Sequence, residues 1–118
     1  MKKDGYKYQI ETELNKIDFE ITKIGQNEDW WDDEHWRIEY KYDSNLKFII
    51  CFIVDPQFEG QRKKGQGIYE IKATKQFPEN WNDDKETIAS LYMTKRKFNI
   101  KLKEFINDII KFKKKSSC

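Results

Sequence analysis

Asp55, Glu70 and Lys72 are the residues best placed by type and spacing to do chemistry. Asp55 stands at the end of an apolar run. Glu70 and Lys72 are two apart in the alternating segment IYEIKATK (68–75), so on a strand they share a face. Two carboxylates can hold a hard divalent cation such as Mg²⁺ through oxygen, and a neighbouring ammonium can orient the water that the metal activates. That chemistry is metal-assisted hydrolysis of a phosphodiester.

A strand-end carboxylate followed by E-x-K on the next strand resembles the layout of PD-(D/E)xK nucleases, over roughly residues 5–75. The resemblance implies a Mg²⁺-dependent nuclease with Asp55 and Glu70 as ligands and Lys72 beside the attacking water. Glu11 or Glu13 would come from a helix preceding the sheet. Asp55 precedes Pro56 rather than following a proline, and Glu39-Tyr40-Lys41 is a second E-x-K without a matching Asp. The simpler reading is a solvent-facing ladder of opposite charges across neighbouring strands.

The segment GQNEDWWDDEH (25–35) carries five acids and two tryptophans without a clean period, which predicts a loop. Asp29, Trp30, Trp31, Asp32, Asp33 and Glu34 there fit a contact surface: tryptophan anchors ringed by carboxylates suit a basic protein partner. The carboxylates and His35 match no metal-loop spacing. Arg62, Lys63 and Lys64, between glycines, and the lysines of 111–115 are candidates for touching phosphate, without a phosphate-loop signature or an aromatic platform beside them. Cys51 with His35 is a poor nucleophile pair, because Cys51 sits within an apolar run, where a thiol is inert. No Ser-centred elbow and no dinucleotide glycine fingerprint is present, so no cofactor is expected.

Composition bounds these readings. A chain of 118 residues, 37% hydrophobic and 37% charged, has the size of one domain (1–118, with 111–118 a basic tail) and must carry a densely charged surface. Net charge is +2, but residues 1–60 hold 8 Lys/Arg against 14 Asp/Glu (−6), and residues 61–118 hold 15 against 7 (+8). Such polarity suits a charged partner. Two cysteines and no apolar leader segment predict a cytoplasmic protein without disulfides, and no run approaches the ~20 apolar residues that span a bilayer. Richness in Lys, Ile and Asn fits a bacterial or phage genome.

The elements follow from period. LKFIICFIVD (46–55) is apolar on both faces: Phe48, Ile50, Phe52 and Val54 on one, Ile49, Cys51 and Ile53 on the other. It must lie in the middle of a sheet. WRIEYKY (36–42) alternates and joins it through the turn DSN to make a hairpin. FEITKI (19–24) and 68–75 are further strands. Residues 5–17 fit a short helix capped by Asp4, with a strand as the alternative. Asp83 and Glu86 read as the start of a long helix whose stripe is Ile88, Leu91, Phe98, Leu102, Phe105, Ile109 and Phe112, with Met93 and Ile100 off the stripe. KFKKKSSC is expected to fray.

The expected fold is α+β: two layers, with a mainly antiparallel sheet of four to five strands against a long C-terminal helix and a short N-terminal one. Arg37, Glu39, Lys41, Glu70 and Lys72 are expected to face water. Ile49, Cys51 and Ile53 then need a cover, which the long charged side chains beside them or the tryptophan-rich loop can supply, with a helix on that face or a partner chain as the alternatives. The expected function is a small protein-binding or inhibitor domain, in general character like toxin-immunity proteins and phage inhibitors of bacterial defence. Its partner is a protein with a basic surface, with nucleic acid and a second copy of the chain as the other candidates and no membrane.

Overall fold

The computed structural model describes residues 5–26, 29–58, 65–93 and 97–116. In chain order it has α1 (Tyr6–Lys16), β1 (Phe19–Gly25), β2 (Asp32–Tyr40), β3 (Asp43–Val54), β4 (Ile68–Thr74), β5 (Thr87–Tyr92) and α2 (Phe98–Ser116), with one 3₁₀ turn at Pro56–Phe58. The five strands form an antiparallel sheet in the order β1-β2-β3-β4-β5, so 46–55 lies in the innermost strand.

α1 ends where Asp18 takes a left-handed conformation (φ 69°), which a short polar side chain tolerates. Asp18 N–H donates to the Asn15 carbonyl, closing the last turn. Asp4, the expected cap of α1, lies outside the described residues.

Both helices cover one face of the sheet. Ile10 and Leu14 of α1, with Leu102, Phe105, Ile106 and Ile109 of α2, pack on Phe19, Trp36, Ile38, Phe48, Ile50, Phe52, Ile71 and Leu91. Among the described residues the other face has no helix, yet it is not bare. Ile49, Cys51 and Ile53 form a second buried cluster with Trp31, and Trp30, Phe77 and Trp81 pack against it. The loop before β2 and the loop between β4 and β5 close over this face together. Leaving those three side chains wet would forgo about 1.5–3 kcal/mol each, which is the driving force for the lid.

Three expectations need correction. The long helix does not begin at Asp83: Thr87–Tyr92 is a strand, and the helix starts at Phe98. Asp83 accepts instead from the N–H groups of Glu79 and Lys85, tying a loop rather than capping a helix. Met93 follows the strand and packs on the main core, while Ile100 is exposed on α2. The lysines of 111–115 do not fray, since α2 continues to Ser116. The segment 25–35 is not all loop, because β1 reaches Gly25 and Asp32–His35 belongs to β2.

Candidate functional site

The acidic start of β2 is built into the protein rather than displayed. Asp33 is wholly buried and Glu34 nearly so. Glu34 Oε2 accepts the Trp36 indole N–H at 2.6 Å, and its Oε1 accepts from Lys7 Nζ at 2.9 Å. Lys7 also reaches Asp33 at 3.7 Å and lies over the Phe52 ring at 4.8 Å. Asp33 Oδ1 accepts the N–H of Gly65 at 2.8 Å. These bonds fasten α1 and the loop after β3 to the sheet. Beside them, burial and then the Asp33 and Glu34 charges push the Tyr6 phenol up to about 12.

Asp32 points to the other face. Its Oδ2 meets His35 Nδ1 at 2.8 Å, and the His35 ring stands edge-on to Phe77 and against Gly25. Of the six residues expected to form the contact surface, Trp31, Asp32, Asp33 and Glu34 are therefore buried, Trp30 is half-buried and Asp29 is exposed.

Lys72 and Glu70 were expected to face water and do not; Arg37 and Lys41 do. The register sets Lys72 opposite Cys51 and Glu70 opposite Ile53, beneath the aromatic lid. Lys72 Nζ donates to the Asp83 carbonyl and to Asp84 Oδ1, both at 2.8 Å, with the Trp81 carbonyl at 3.5 Å. It is a tie for the loop between β4 and β5. Burial raises the Glu70 carboxyl above its ordinary range, opposed by Lys72 and by a hydrogen bond with Ser90. Glu70 Oε2 has no hydrogen-bond partner.

Asp55 accepts from the backbone and side-chain nitrogens of Gln57, capping the 3₁₀ turn. Among the described residues, no group of three or more His, Cys, Asp or Glu side chains is placed to hold a metal ion. Burial, then the Asp32 charge, pushes the Cys51 thiol far up, so it is inert despite pairing with His35 in register. Arg62, Lys63 and Lys64 lie outside the described residues.

Exposed large hydrophobic side chains are scattered, with Tyr8, Ile24, Tyr42 and Ile100 elsewhere, but three of them, Phe58, Tyr69 and Tyr92, lie toward the end of the sheet where β3 stops. Val54 N–H donates to the Trp31 carbonyl, which brings Asp29 and Trp30 there. Asp55 N–H donates to Gly67, and the Phe58 ring sits against Gly67. Glu70 pairs with Tyr92, and Tyr92 meets Tyr69 edge-to-face at 5.5 Å. Phe58, Tyr69 and Tyr92 remain 38–44% exposed. The Glu70 charge, then burial, raises the Tyr92 phenol above its ordinary range. Sequence reasoning missed these three aromatics. Phe58 follows a proline turn, and Tyr69 falls on the strand positions that elsewhere face the core.

Comparisons with protein-family models, with curated proteins and with solved structures find no match. Among the described residues, no helix is long and apolar enough to cross a membrane.

Proposed function

We propose that this chain is a small binding domain acting by protein–protein contact, an inhibitor of the immunity or anti-defence kind, whose partner presents a basic surface. One observation carries the reading. Phe58, Tyr69, Tyr92 and half-buried Trp30 all lie toward one end of the sheet, as do the carboxylates Asp29 and Asp55, and Tyr69 and Tyr92 touch there. Exposed aromatics in a group are the residue types that anchor interfaces, and flanking carboxylates select a cationic partner and steer its approach. Most of the acidic segment 29–34 serves the fold, so the surface rests on Asp29 and Trp30 from that segment and on aromatics from β4, β5 and the 3₁₀ turn.

The test compares immobilised wild type with Trp30→Ala/Tyr92→Ala and with Tyr42→Ala, which alters an exposed tyrosine at the opposite end of the sheet. A bacterial lysate should yield a protein held by wild type and by Tyr42→Ala, lost by the double variant, and released by salt. Identical profiles from all three baits would overturn the assignment of the surface.

A second reading, passive nucleic-acid binding, is favoured by a groove of about 260 Å³ lined by Lys75, Lys111 and Lys115 with Asp108 and Phe112. It predicts retention on DNA that falls steeply with salt and is weakened by Lys111→Glu.

A further inference from the structure

Glu70 is a buried carboxylate that the fold leaves half satisfied. It is 3% exposed, and no group among the described residues donates to its Oε2. Buried polar atoms ordinarily have partners, and a charged one without them is costly.

The groups around Glu70 can be named element by element. On β4 itself, Lys72 shares its face and Tyr69 precedes it. Its charge reaches Cys51 of β3 and Tyr92 of β5, and the Ser90 side chain of β5 hydrogen-bonds it. Asp84 acts on it from the loop between β4 and β5, and Asp32 of β2 lies across Ile53 in the same row of the sheet. Of these groups only Lys72 is a cation. Its hydrogen bonds and ion pair go to the loop, at the Trp81 and Asp83 carbonyls and Asp84 Oδ1. The same loop sends Phe77 and Trp81 over Ile49, Cys51 and Ile53. The cation beside Glu70 is therefore the one that fastens the lid.

Closing the lid takes the Glu70 carboxyl out of water, and burial raises it above its ordinary range. Closure thus costs more when Glu70 is charged than when it carries a proton. An open lid returns both oxygens to water and removes the difference.

We propose that Glu70 is a proton-controlled latch: protonated, it lets residues 75–86 close on the second face, and ionised, it favours an open loop that uncovers Cys51. The opening is local and leaves the helix-covered core intact. It grows as pH rises, because the closed form binds the extra proton.

Cys51 is the reporter, since it is wholly buried within the lidded cluster. In a Cys118→Ser background it is the one thiol of the chain. Its rate of reaction with 4,4′-dithiodipyridine is read from pH 4 to 8, with Glu70 present and with Glu70→Gln, where the latch stays neutral. Intrinsic thiol chemistry and the titration of Asp32, His35 and Asp84 are common to both proteins and cancel in the ratio. The two rates should be similar at pH 4. Their ratio should then climb by about tenfold for each unit by which closure raises the carboxyl, and level off. Low urea should leave the rate nearly unchanged, since a local opening exposes little surface. Glu70→Met, also neutral, is the reference should Glu70→Gln fail to fold. A ratio flat from pH 4 to 8 overturns the proposal. So does a rate that climbs steeply with urea below the unfolding transition, because Cys51 is then reached only by global unfolding.

Discussion

Replacing Lys72 by methionine tests whether the buried ammonium is a tie for the lid or a group held for chemistry. Methionine keeps most of the stem's volume and removes the charge. The lost interactions are unequal. Asp84 is 67% exposed at its side chain, so on losing Lys72 it returns to water, and that pair contributes no more than about 1 kcal/mol. The Asp83 carbonyl loses a charge-assisted hydrogen bond of 2.8 Å, which is typically about 1.5–3 kcal/mol. Glu70, already disfavoured by burial, loses its nearest cation. Relief from desolvating the ammonium offsets part of this. The net expectation is a loss of about 2–3 kcal/mol, or a fall in Tm of roughly 10 °C for a domain of this size. The loss should be local in origin, so limited proteolysis should open the segment 77–86 before the rest of the chain. Urea unfolding and proteolysis check both parts. A Lys72→Met protein as stable as wild type, with the segment still resistant, would refute the role given to the ammonium. Nuclease activity with Mg²⁺ that vanishes in Lys72→Ala while the fold persists would move Lys72 to the catalytic reading.

Glu70 titrates higher in the folded state than in the unfolded chain, so the folded protein binds the extra proton and its stability falls as pH rises through that interval. Glu70→Gln should therefore equal or exceed wild type in Tm at pH 7, with the difference shrinking on acidification toward the ordinary carboxylate range; thermal melts across pH 4 to 8 read it. Tyr6 buries a hydroxyl with no hydrogen-bond partner, so Tyr6→Phe should be neutral or stabilising by about 1 kcal/mol in urea unfolding. The same variant should flatten the stability loss that wild type shows as pH climbs from 10 toward 12, because the raised phenol keeps its proton longer in the folded state. Gly67 has φ 70° and a Cβ there would lie 2.8 Å from the Phe58 ring, so Gly67→Ala should cost about 1–2 kcal/mol. Adding Phe58→Ala should restore the steric part and leave the backbone part, a non-additivity that a double-mutant cycle measures.

The innermost strand was legible because a run apolar on both faces has few places to go in a small sheet. The hairpin before it, and β1 and β4, followed from period, although the hairpin turns at Lys41–Tyr42, and Asp43–Asn45, expected as the turn, already belong to β3. β5 was hidden by coincidence of spacing: Ile88 and Leu91 continue the three- and four-residue steps of α2, so a strand and a helix read as one stripe. The signal against it was available, since 94–97 (TKRK) interrupts the apolar run between Met93 and Phe98. The burial of Asp33, Glu34, Glu70 and Lys72 was not legible. Charged residues belong outside unless partners come to them, and here the partners arrive from Lys7 in α1, from Trp36 and from the carbonyls of residues 81 and 83. Such contacts are tertiary facts that period and composition do not carry.

The covered second face also decides what the acidic segment can do for function. A sheet with helices on one side ordinarily offers its other side as a broad surface. In this chain Trp31, Phe77 and Trp81 occupy that side, and Asp32, Asp33 and Glu34 are spent holding His35, Gly65, Lys7 and Trp36. A partner drawn to the acidic segment would meet its margin rather than its centre. On the proposed binding function, recognition would be displaced to the sheet end where Trp30, the 3₁₀ turn and the last residue of β5 lie, and the residues that fasten the lid would shape that surface. Loosening the lid at Lys72 should weaken partner binding even though the ammonium touches no partner. Altering Tyr92 should weaken it without loosening the lid.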